Sequence, residues 1–250
     1  MGIFSRFGKT LKQNKLIDSS AARLYKNAGV PRGNIAGYVA IAEAGMPLSL
    51  IKEFVPNIDN AEDLVQIWTT LAVLSISATL QNIFFRQDEI AFANGGSLET
   101  NPFKKHSDKL TAEKSFEFFK LIGGALLCGF LHSQERKSEY GDWSVLEKMG
   151  FSSDAFKERI FSIFEFSNED KAIYEELAKK RGEYSEEDST KYFIAFYRGI
   201  AKKVYGMPVD ERNIAVGVLW LSSILAGSYQ MFASALGQET QDFRRRMISN

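Results

Sequence analysis

Hydrophobic and polar positions along this chain sort into three long runs without a charge, set among stretches where apolar residues recur every three or four positions. The uncharged runs are LVQIWTTLAVLSISATLQNIFF (64–85), LIGGALLCGFLHSQ (121–134) and NIAVGVLWLSSILAGSYQMFASALGQ (213–238). A recurrence of three to four is the mark of an amphipathic helix. Asn60, with Asp63 three positions on, opens a pattern that continues to Asn94 and stops at Gly95-Gly96. At 1.5 Å per residue that helix is about 50 Å long. A second long helix is expected over about 110–137, with Phe116, Phe119, Ala125 and Leu126 on its face.

Punctuation along the rest of the chain is also helical. Asp18 to Ser20 form a capping cluster for a helix that stops at Gly29. NIAGYVAIAEAG, ending at Gly45, leads through Met46 and Pro47 into LSLIKEF, a short helical hairpin. Shorter helices are predicted in DWSVLEKMG, SSDAFKERIFSIFEF, SNEDKAIYEELAKKRG and SEEDSTKYFIAFYRGIAKKVYG, and a last one begins near Asp210. Ser167, followed three residues on by Asp170, is a variant of the capping box. Sustained alternation with a period of two is missing, and so is any Asn-Gly hairpin. The expected fold is all-α: a bundle of about ten helices around two or three long, largely apolar central ones.

Residues 213–238 could cross a membrane by length, since 26 helical residues reach about 39 Å against a hydrocarbon core of about 30 Å. Composition argues for a buried helix of a soluble protein instead. Eleven of its residues are Ala, Gly or Ser, and Asn213, Gln230 and Gln238 add full amides. Ala215, Ser222, Ala226, Ala233 and Gly237 form one small-residue stripe that lets a neighbouring backbone come close. The runs 64–85 and 121–134 are its expected packing partners. Run 64–85 carries eight Thr, Ser, Gln or Asn residues, which lipid would leave costly. The reading is a buried three-helix centre wrapped by amphipathic helices, with a membrane span at 213–238 as the competing arrangement.

Charge enters through its distribution. Thirty-one basic and 31 acidic residues cancel, which removes any global pull toward nucleic acid. Residues 1–42 nevertheless hold Arg6, Lys9, Lys12, Lys15, Arg23, Lys26 and Arg32 against the single acid Asp18, so this segment is +6 and the remainder −6. Within it, Ile3, Phe4, Phe7 and Leu11 share a helical face, while Arg6, Lys9, Lys12 and Lys15 occupy much of the rest. Apolar insertion beside a row of cations suits an anionic lipid surface or an acidic protein partner. The domain reading is therefore a basic amphipathic helix at 1–16 and one all-helical domain at 17–250. The acidic stretch 165–188 adds an expectation of intramolecular or homo-oligomeric docking. The N-terminus lacks the continuous apolar core of a secretory signal, and the lone Cys128 calls for no oxidising compartment. Cytoplasmic residence, at a membrane surface for part of its work, is the expectation.

Catalytic chemistry is thinly supplied. The chain has two histidines, His106 and His132, and neither stands in a Glu-x-x-His or His-Glu-x-x-His spacing. His132 and Glu135, one turn apart, read as a cap or surface contact before a general acid–base couple. Asp59 and Asp63 are helix-start residues favoured by the dipole rather than metal ligands. Phe7 to Thr10 read FGKT, but five residues lie between Gly2 and Gly8 where a phosphate loop has four, so its amides would not converge. LSLIKEF offers a DNA groove only one lysine and one glutamate. Clusters such as FEFFK and IFSIFEF read as core. No metal or cofactor is expected. The sequence thus reads as a non-enzymatic interaction or scaffold protein that uses Ile3, Phe4, Arg6, Phe7, Lys9, Leu11 and Lys12. The competing reading is an enzyme or a carrier of a hydrophobic small molecule, with Cys128, His132 and Trp220 lining a pocket between the central helices.

Overall fold

Backbone hydrogen bonding and apolar burial yield helices and no strand in the part of the chain that the structure, a computed structural model, describes: residues 3–43, 60–85, 111–139, 141 and 143–181. The helices are α1 (Ile3–Asn27), α2 (Arg32–Glu43), α3 (Ala61–Phe85), α4 (Ala112–Glu139), α5 (Val145–Lys148), α6 (Ser153–Ile163) and α7 (Asn168–Arg181). Seven helices thus stand among the described residues. The helices expected after Gly45, beyond Lys180 and across 213–238 lie outside them.

Most of these helices begin where a short polar side chain satisfies a free amide. Asn60 accepts from Asp63 N at 3.0 Å to open α3, and Thr111 accepts from Lys114 N at 3.3 Å to open α4. Ser144 and Glu147 form a full capping box on α5, and Ser152 caps α6 through Ala155 N at 3.1 Å. At α7 the variant box is present: Asp170 N donates to Ser167 Oγ at 3.2 Å, and Ser167 N donates to Asp170 Oδ2 at 2.8 Å. The cluster Asp18 to Ser20 does not open a helix. It lies inside α1, which runs without interruption through residues 16 and 17. Asp18 and Ser19 are exposed there, and Ser20 turns inward, its hydroxyl 3.1 Å from Leu16 O and 3.0 Å from Ser115 Oγ on α4. A serine inside a helix can bond back to the carbonyl one turn earlier, and here a second helix joins that bond.

The centre is formed by α3 and α4. Along α3, Leu64, Val65, Ile67, Trp68, Leu71, Ala72, Val73 and Ile76 are buried; along α4, Phe116, Phe118, Phe119, Ile122, Leu126, Leu127 and Phe130 are buried. These two helices pack on each other, α1 packs on both, α2 covers α3, and α6 and α7 cover α4. Two of the three runs expected at the centre thus pack on each other, and the third, 213–238, lies outside the described residues. By length and composition α4 could also cross a membrane, with a mean hydropathy of 1.3 over its most apolar window, but 78% of that window is buried by the protein itself.

Phenylalanine fills this core instead of lining a cage. Trp68 has Phe130, Phe156 and Phe164 around it at ring-centroid separations of 6.4, 6.0 and 6.1 Å, the last two edge-on. Edge-to-face contacts at such distances add to the area that the rings bury. Trp143, in the corner between α4 and α5, goes the opposite way and is 70% exposed.

The α6–α7 turn comes down on two glycines of α4. A Cβ at Gly123 would stand 2.3 Å from Cε1 of Phe164, whose side chain is fully buried, whereas one at Gly124 would meet the half-buried Phe166 at 3.2 Å. Gly123→Ala is therefore expected to destabilise the protein. Overpacking costs about 1–3 kcal/mol, against a helix-propensity gain of at most about 1 kcal/mol. Gly124→Ala, next to a ring that can give way, is expected to stay within about 1 kcal/mol of the parent. Urea unfolding midpoints of the two variants check the contrast.

Candidate functional site

The helix that carries the candidate contact residues is α1, and its register decides what they can do. Its second half, with Ile17 and Leu24 buried, docks against α3 and α4, while Lys15, Arg23 and Lys26 are exposed. Lys12 and Arg23 are eleven residues apart, as are Lys15 and Lys26. Eleven residues are about three turns, so Lys12 and Lys15 fall on one continuous stripe with Arg23 and Lys26. Ile3, Phe4, Arg6, Phe7, Lys9, Leu11 and Lys12 occupy the first turns of α1; their side chains lie outside the described residues. By helical period the positions Ile3, Phe4, Phe7 and Leu11 sit about a quarter-turn from the line of Ile17 and Leu24.

A polar node fastens the basic stripe to the core. Arg23 Nε donates to Glu165 Oε1 at 2.8 Å and its Nη2 to Glu165 Oε2, a two-pronged pairing. Asn27, one turn on, donates to Glu165 Oε1 and to the Ile163 carbonyl, both at 2.8 Å. The Arg23 guanidinium also lies 4.2 Å from the ring centre of Phe116 on α4, and Lys120 Nζ stands 5.5 Å from the same ring. Lys120 in turn bridges Glu117 at 3.0 Å and Asp170 at 3.8 Å.

Glu165 sits in a place made for glycine. Three helix ends close with the same pair of backbone bonds. After α1, Gly29 N donates to Lys26 O and Val30 N to Tyr25 O; after α5, Gly150 N donates to Glu147 O and Phe151 N to Leu146 O; after α6, Glu165 N donates to Ser162 O and Phe166 N to Phe161 O. This motif needs a left-handed residue, and φ is +66° at Gly29, +75° at Gly150 and +55° at Glu165. A residue with a Cβ pays about 1–2 kcal/mol to stand there. The carboxylate that brings Arg23 and Asn27 together is what the glutamate supplies in return.

The pocket residues are placed only in part. Cys128 and His132 are one turn apart on α4, the first buried among the core residues and the second half-buried. Trp220 lies outside the described residues, so the three are not brought together there. Glu135 is exposed, and no hydrogen bond among the described residues joins it to His132. No group of three or more His, Cys, Asp or Glu that could hold a metal occurs among the described residues. The Arg23–Glu165 node is absent from the sequence reading: its partners are 142 positions apart, and neither stands in a motif. Comparison with protein-family models, with curated proteins and with solved structures finds no match.

The node gives α1 docking an acid dependence. The hydrogen bond from Arg23, helped by Asn27 and by the charges of Arg23 and Lys120, lowers the Glu165 carboxyl below its ordinary 4.5 against the opposing effect of burial; Glu165 in turn raises Arg23. A carboxylate depressed in the folded state contributes stability above its unfolded value and loses it as pH falls through the folded one. Glu165→Gln should therefore cost about 1 kcal/mol or less at neutral pH and flatten the stability profile below about pH 4.5. Chemical denaturation of both proteins from pH 7 to pH 3 measures this.

Proposed function

We propose that this protein is a non-enzymatic, all-helical interaction protein that engages an anionic, apolar-accepting surface through the basic amphipathic beginning of α1. The observation that supports the reading most is the continuity of α1. One 25-residue helix joins the basic amphipathic segment to a half that is docked on the two central helices. The contact residues are thus borne on a rod anchored in the core, and ordering them costs less on binding than ordering a tail would.

The energetic division of labour follows from residue type. Arg6, Lys9 and Lys12 would supply attraction to negative charge, each worth about 1 kcal/mol near an anionic bilayer at low salt. Ile3, Phe4, Phe7 and Leu11 would supply apolar burial at about 25 cal/mol per Å² removed from water. An acidic face on a partner protein offers the same chemistry as a layer of lipid phosphates, and the reading covers both.

Deleting residues 1–16 tests the proposal. The truncated protein, folded by circular dichroism, is expected to lose at least tenfold in binding to vesicles containing anionic phospholipid, or to an acidic partner recovered by pull-down, and full-length binding should weaken steeply between 50 and 300 mM salt. Sedimentation that depends on anionic vesicles identifies lipid; retention of a protein in their absence identifies a partner. Undiminished binding of both kinds by the truncation removes the proposal.

A further inference from the structure

Glu165 joins α1 to the turn between α6 and α7. It is strained, its partners are specific, and one of them, Arg23, belongs to the basic stripe of α1. Arg23 is 51% exposed on its side chain although it is paired twice to Glu165 and stacked over Phe116. A guanidinium placed this way can exchange one carboxylate for an anion arriving from outside without leaving the Phe116 ring. When it does so, the αL turn loses the contact that accompanies its glutamate.

We propose that Glu165 is a latch on the basic face of α1, which an anionic surface bound to that face displaces by taking Arg23. This rests on the reading of α1 as the contact helix and adds its regulation. In the free protein the latch holds Arg23 and Asn27, and through them the last turns of α1, against the α6–α7 turn. Binding of α1 to an anionic surface must break that hold, so the latch weakens the contact and ties it to a loosening of the turn. The charged groups that bear on the exchange are Arg23 on α1, Glu113 and Lys120 on α4, and Glu165 itself. Asn27 contributes a neutral donor.

Two measurements on the full chain decide it. The first is hydrogen exchange on the free protein. Glu165→Gln keeps the backbone cost of the left-handed turn and removes the charged latch, so exchange over residues 17–27 is expected to rise by up to about fivefold with little change at Trp68 and its neighbours. Unchanged protection of α1, or an equal loss everywhere, overturns the latch. The second is binding to vesicles of phosphatidylserine and phosphatidylcholine, with pure phosphatidylcholine as the neutral control. Glu165→Gln is expected to bind the anionic vesicles up to about fivefold more tightly than the parent, and the gain should vanish in an Arg23→Ala background. A gain of equal size without Arg23 is a general charge effect and overturns the proposal; no gain at all does so too. Absence of anionic-vesicle binding by every variant, the parent included, overturns lipid as the surface and with it the displacement of the latch, whereas a change in exchange alone shows only that Glu165 holds α1 in the free protein.

Discussion

The structure depends on one constraint: α3 and α4 are too apolar to face water and must be covered on nearly every side. Trp68 of α3 and Phe130 of α4 meet within the core that the two helices share, and α1, α2, α6 and α7 pack around the pair. Tight approach is the means. At Gly123 the turn between α6 and α7 comes so near that a methyl group has no room, and the fully buried Phe164 fills the space between that turn and Trp68. Dense packing of this kind transmits small displacements, because a closely packed interior deforms little.

Around that centre the polar contacts are few and directional. Ser20, Ser115 and the Leu16 carbonyl tie α1 to α4; Arg159 binds Glu62 and ties α6 to α3; Arg23, Asn27 and Glu165 tie α1 to the end of α6. The two ion pairs among them, which are solvent-accessible, individually contribute little stability. Their value lies in geometry: they fix which way α1 turns its faces, and therefore which face its basic residues share.

The legible part of this protein was the local part. Asn60 with Asp63 and Ser167 with Asp170 announced their helices because a cap and the amide it satisfies are only three positions apart. The long apolar runs announced α3 and α4 because burial on all sides needs no partner pattern to be recognised. Asp18 to Ser20 misled for the same reason: a cluster that caps well in isolation was overruled by a helix already stabilised through Ile17 and Leu24 against the core. The Arg23–Glu165 node could not be read, since only tertiary folding brings positions 23 and 165 together and a glutamate at a helix end carries no sign of a left-handed backbone. Of the candidate contact residues, spacing gave the shared faces and the charge; what those faces meet is a property of an encounter, which no local pattern encodes.

The two described tryptophans stand in opposite surroundings. Trp68 is sealed among aromatic rings, while the Trp143 indole stands in water one residue ahead of a locked capping box. Selective excitation therefore reports on the interior and on the α4–α5 corner at once: a soluble quencher reaches Trp143 in the native protein, and it reaches Trp68 only when the core has opened.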